Sequence, residues 1–171
     1  MSDLSTLGPR TGLRSVTVDI SDFKVSNDPN DMLITYSLGS CLGLSICDPA
    51  AGVAGLVHCM LPLSKTDPAK AERKPGMFVD TGIPALMDAA FKLGAKKNRL
   101  IIKAAGCGQL LDEKTLFRIG ERNYTVMRKL LWKNNLLLES EHTGGSLSRT
   151  VRVVVETGKV FLKASGKEIL L

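Results

Sequence analysis

Two short segments carry residue types able to do covalent chemistry: Thr35-Tyr-Ser-Leu-Gly-Ser-Cys41 and Ala54-Gly-Leu-Val-His58-Cys-Met-Leu-Pro62. A thiol with an ordinary pKa of ~8.5 is mostly protonated at neutral pH, and an imidazolium partner favours the attacking thiolate. Gly39 opens backbone conformations closed to other residues, so amides around Gly39, Ser40 and Cys41 can point outward together and receive a developing oxyanion. The chemistry this predicts is acyl transfer at Cys41, with His58 moving protons. Two antiparallel strands joined by a turn over Asp48 to Gly52 would match Cys41 with Cys59, one residue from His58. A third group often fixes the imidazole tautomer, and Thr35, Asp80 and Thr81 are the candidates. By residue type alone, core packing is the commoner fate of a cysteine, or of a lone histidine on an apolar strand.

These residues need elements to hold them. Val16-Thr-Val-Asp-Ile20 alternates as a strand, and Asn27-Asp-Pro-Asn-Asp31 is a turn. Met32 to Tyr36, Cys41 to Cys47 and Val53 to Leu61 are short apolar runs bounded by turn residues, which predicts buried strands. Ser64 to Gly76 is basic with two prolines and reads as a mobile surface loop. Asp80 caps a predicted helix over 81–93, where Ile83, Leu86, Met87, Ala90 and Phe91 share a face and Gly94 ends it. Arg99 to Ala105 predicts a strand leading to the Gly106-Cys107-Gly108 turn. A second helix over 119–133 places Val126, Leu130 and Trp132 or Lys133 near one stripe. Strands over 136–141, 150–156 and 159–163 follow, with Thr157-Gly158 as a hairpin turn. About eight strands, mostly following one another, favour layered sheets with helices outside and exclude a doubly wound nucleotide fold. Residues 1–14 read as a flexible arm and 15–171 as one domain.

At 171 residues the chain can bury a sizeable core without a metal or disulfide staple. The uncharged stretches Leu33–Cys47 and Pro49–Ser64 are too short to span a membrane, and the N-terminus lacks an apolar signal segment. A soluble, cytoplasmic protein is expected, with Cys41, Cys47, Cys59 and Cys107 reduced. No Cys-x-x-Cys pair occurs, so neither a zinc site nor any other cofactor is expected. The net charge of +6 suits an anionic partner. Its basic residues, among them Lys65, Lys70, Arg73 and Lys74, are scattered with no interleaved aromatics. An acidic protein partner therefore ranks above nucleic acid, and no membrane insertion is expected.

The string Thr35-x-x-x-Gly39-Ser40-Cys41, then Asp48-Pro49, then His58-x-Met60-Leu61-Pro62, resembles the chemoreceptor glutamine deamidase family, CheD. The resemblance continues through Asp80-Thr81, Lys103-Ala-Ala-Gly106, Gly120-Glu-Arg-Asn123, Thr143-Gly144-Gly145 and Glu156-Thr157-Gly158, and so spans about residues 16–165. It implies an α/β single domain, a layered sandwich of two mixed β-sheets with two or three helices packed outside. It also implies a Cys-His-Thr triad, which settles the third member on Thr35 beside Cys41 and His58. The implied activity is hydrolysis of glutamine side chains of methyl-accepting chemotaxis receptors to glutamate through a thioester, with methylesterase action chemically plausible at the same site. The implied partners are those receptors and a CheC-type chemotaxis phosphatase competing for the same face. Two positions depart from the family pattern: Cys107, where a small-residue turn is usual, and His142, where Asp is commoner. His142 is expected to be a surface or turn residue.

Overall fold

The computed structural model describes residues 8–109 and 117–171. Its strands are β1 (Arg14–Thr17), β2 (Phe23–Ser26), β3 (Asp31–Leu38), β4 (Leu42–Asp48), β5 (Val53–Cys59), β6 (Ile101–Gly106), β7 (Leu138–Thr143), β8 (Arg149–Val154), β9 (Val160–Ala164) and β10 (Lys167–Leu170). Three helices accompany them: α1 (Pro68–Arg73), α2 (Val79–Lys92) and α3 (Ile119–Lys133). One sheet runs β1-β3-β8-β9-β10 and the other β2-β5-β4-β6-β7. Each contains a single parallel pair, β1 with β3 and β6 with β7, so both sheets are mixed.

Burial explains the arrangement. β4 and β5 lie inside their sheet and are buried at every residue, so both read as near-continuous apolar runs. Leu33, Val151, Val153 and Leu162 of the first sheet pack against Ala54, Leu56 and Ala105 of the second, forming the layer between sheets. Leu42, Leu44, Val57 and Cys59 point the other way, onto Ile83 and Leu86 of α2 and Met127 and Leu131 of α3. The layers are sheet, sheet, helices. The tight turn between β4 and β5 is anchored by fully buried Asp48, whose carboxylate takes Nε and Nη2 of Arg99 and the amides of Lys96 and Ala51.

Several local expectations are corrected. The basic stretch after Ser64 contains α1, which Asp67 caps by accepting the Lys70 amide and which Pro68 starts. α2 begins at Val79, so Asp80 sits in its first turn and accepts from the Ser64 amide and hydroxyl, both at 2.9 Å. The buried face of α3 is Gly120, Asn123, Met127 and Leu131, whereas Trp132 is 79% exposed. Apolar residues on both flanks of that helix disguise its phase. Two short strands, β2 and β10, were unforeseen because each has only four residues, the lower limit for a periodic signal. Of the expected arm, residues 1–7 lie outside the described residues. Arg10 hydrogen-bonds Glu156 and Asn30, and Arg14 already belongs to β1.

Candidate active site

Thr35 and His58 come from different sheets and meet in the layer between them. The Thr35 Oγ1 to His58 Nδ1 distance is 2.7 Å, and both residues are fully buried. The Thr35 hydroxyl also donates to the Val18 carbonyl at 2.7 Å. A hydroxyl has one proton, so Thr35 must accept from Nδ1–H. That assigns the Nδ1–H tautomer and leaves Nε2 as the basic nitrogen. Nε2 is buried and makes no hydrogen bond to any of the described residues. The segment after β1 braces this unit: Ser21 donates to the His58 carbonyl, and the His58 amide donates to the Asp22 carbonyl.

Cys41 stands immediately before β4. The ladder pairs Gly43 with His58 and Leu42 with Cys59, one residue away from the register expected from the sequence. The slip is consequential because side chains alternate faces. In the expected register His58 would share a face with Leu42, against the helices. In the observed one it shares the inter-sheet face with Cys41, which packs partly buried against that layer. Cys41 and His58 are thus diagonal neighbours across the ladder, on the same face of the sheet. In β3 a register shift between Thr35 and Leu38 exposes Tyr36 and Ser37 while burying Thr35 and Leu38.

The turn carrying Cys41 is held from behind. The amides of Cys107 and Gly108 donate to the carbonyls of Cys41 and Gly39 at 2.8 and 2.9 Å. Gly106 adopts φ +93°, and a Cβ there would collide with the Cys41 carbonyl oxygen, so the close approach requires glycine. The Gly39 amide is bonded to Ser37 O. Asn123 Nδ2 donates to Ser40 O. Cys107, at φ +53°, is buried, and burial pushes its thiol up to about 12. His142 lies in β7, where its Nδ1 accepts from Arg149 Nε at 2.8 Å. The two other groups weighed as the third member are engaged elsewhere: Asp80 on Ser64, and Thr81 on the Pro75 carbonyl.

Burial pulls the His58 pKa down to about 4. The resting ring is therefore neutral at neutral pH, not the imidazolium expected from the sequence, because desolvation penalises the charged form. Cys41 is shallow: it is itself only partly buried, and Met60, across the ladder from it, is exposed. A cleft of about 420 Å³ opens between Gly108, Gly120, Tyr124 and Gly144, and none of Thr35, Cys41 and His58 lines it. Two contributors escaped the sequence reading. The Val18 carbonyl has no residue-type signal. Asn123 stood in the Gly120-Glu-Arg-Asn123 motif, but with no role attached to it.

Residues 60–164 match the family model described as CheD chemotactic sensory transduction. A protein of Syntrophus aciditrophicus (strain SB), named "Probable chemoreceptor glutamine deamidase CheD 1", is 52% identical over 151 residues, covering 88% of this chain and 94% of that protein. A protein of Solibacter usitatus (strain Ellin6076), named "Probable chemoreceptor glutamine deamidase CheD", is 45% identical over 156 residues, covering 91% and 92%. Among solved structures, Neisseria meningitidis protein NMB0706 (family model DUF152) aligns at TM-score 0.45 and 10% identity over 80% of this chain and 64% of that one, a likeness too slight to build on. By its family model and its relatives, the chain belongs to the CheD family.

Proposed function

We propose that this chain is a chemoreceptor glutamine deamidase, with residues 15–171 as one catalytic domain and Cys41, His58 and Thr35 as its reacting groups. The observation that carries the reading is the Val18–Thr35–His58 chain of hydrogen bonds. It spends the only hydroxyl proton of Thr35 on a backbone carbonyl, and so orients a neutral imidazole with Nε2 as the base. His58 Nε2 takes the Cys41 proton as sulfur attacks the glutamine Cδ. The Ser40 amide, one residue before the sulfur, steadies the oxyanion. His58 then gives that proton to the departing ammonia, leaving a γ-glutamyl thioester. Water attacks the thioester, losing a proton to Nε2, and the thiol leaves with a proton restored. The balance is amide plus water to carboxylate plus ammonium.

A shallow site suits a side chain presented on the surface of another protein, as glutamines of a receptor helix are. Cys41, Cys47, Cys59 and Cys107 stand as thiols, which fits a reaction in the reducing cytoplasm. The test is to incubate the protein with a receptor cytoplasmic fragment and weigh the fragment's peptides. Each converted glutamine adds about 1 Da, and Cys41→Ala abolishes the gain. Unchanged peptides with the wild type refute the reading.

A further inference from the structure

We infer that Asn123 is the positioning residue that sets the distance between Cys41 and His58. The inference rests on the reading of Cys41 as nucleophile. Asn123 lies one turn into α3, on the face that also buries Gly120 and Met127. α3 reaches this depth because Gly120 has no side chain: a Cβ there would strike the Gly108 carbonyl oxygen. Asn123 is fully buried, and its Nδ2 makes two hydrogen bonds, to Ser40 O at 3.0 Å and Met60 O at 3.2 Å.

Those two carbonyls belong to the two halves of the site. Ser40 immediately precedes Cys41. Met60 lies two residues beyond His58, and by the ladder register it stands opposite Cys41 just past the last paired residues, Leu42 and Cys59. At the point where strand pairing ends, one side-chain amide takes over and ties the nucleophile's turn to the histidine's strand. Both protons of the amide are spent on this tie. Its Oδ1 is buried with no partner among the described residues. A residue serving packing alone would not keep an uncompensated buried acceptor, since an apolar side chain would fill the space without that cost. The donor is what the site uses, and the orphaned oxygen accompanies it.

Asn123→Ala removes the tie. Asn123→Asp keeps the shape but replaces the donor by an oxygen facing two carbonyls. Met127→Ala, one turn further along the same buried face, perturbs α3 without touching either carbonyl. With a receptor fragment as substrate and each variant verified as folded by circular dichroism, both Asn123 variants should lose about 10²-fold in kcat with KM within about twofold, because misplacement of reacting groups costs rate rather than binding. Met127→Ala should keep kcat within about threefold. Alkylation of Cys41 by iodoacetamide, followed by peptide mass and independent of any receptor, should slow about fivefold or more in the Asn123 variants only. Should Asn123→Ala fail to fold, the isosteric Asn123→Asp carries the comparison. Unchanged kcat and alkylation in a folded Asn123 variant, or an equal loss in Met127→Ala, overturns the inference. If the wild type converts no glutamine while Cys41 alkylation still falls in the Asn123 variants, the deamidase reading fails and the positioning role stands.

Discussion

His58→Gln tests the electrostatics of the site through stability alone. Burial lowers the His58 pKa from its ordinary 6.5 to about 4 in the folded protein. The unfolded chain therefore binds a proton that the folded one refuses throughout this interval, so stability falls as pH falls through it. The contribution is fully present above about pH 6.5 and lost progressively toward pH 4. At about 1.4 kcal/mol per pKa unit, and with the folded ring half protonated at the lower end, the wild type loses about 3 kcal/mol across the window. Glutamine does not titrate, so His58→Gln escapes this loss, although it pays a pH-independent cost for repacking. Paired urea titrations between pH 7.5 and 4 isolate the difference, because the carboxylates titrate equally in both proteins. With a denaturant slope of about 2 kcal/mol per molar, the gap between midpoints should shift by about 1.5 M in favour of the variant. A gap that stays constant with pH would refute the claim that His58 is buried and neutral.

Thr35→Val keeps the shape but removes the acceptor for His58 Nδ1–H, and should lower kcat about 10²-fold, whereas Thr35→Ser should stay within about tenfold of the wild type; steady-state deamidation kinetics decide. Iodoacetamide near neutral pH should label Cys41 before the other thiols, since burial pushes Cys47 up to about 11 and Cys107 up to about 12 and holds Cys59 well above its ordinary value; peptide mapping checks the order. Asp48→Asn breaks the hydrogen-bonded pair with Arg99 at the β4–β5 turn and should cost about 3 kcal/mol in urea unfolding, with Cys41 reactivity unchanged.

The layered architecture was legible because β4 and β5 are buried on both faces and so appear as unbroken apolar runs between turn residues. Cys41, His58 and Thr35 became the candidate site through the family motif. Their spacing alone could not choose between Thr35, Asp80 and Thr81, because the Thr35 contact crosses between sheets and no local period encodes it. Register was the weak point. Counting from the turn placed Cys41 opposite Cys59, and the true one-residue offset decides which face His58 occupies. The protonation state was hidden as well, since it follows from how deeply a second sheet covers the ring. α3 misled because Val126 and Leu130 are more apolar than Gly120 and Asn123, yet the buried face runs through those two with Met127 and Leu131.

The claim that all else depends on is a covalent bond between Cys41 and the glutamine carbonyl carbon. Hydroxylamine added during turnover competes with water for a thioester and leaves a γ-glutamyl hydroxamate on the receptor peptide, about 16 Da heavier than the starting glutamine. The account predicts hydroxamate at the same positions that become glutamate, with neither product formed by Cys41→Ala. Glutamate forming with no diversion to hydroxamate, or persisting in Cys41→Ala, would contradict it.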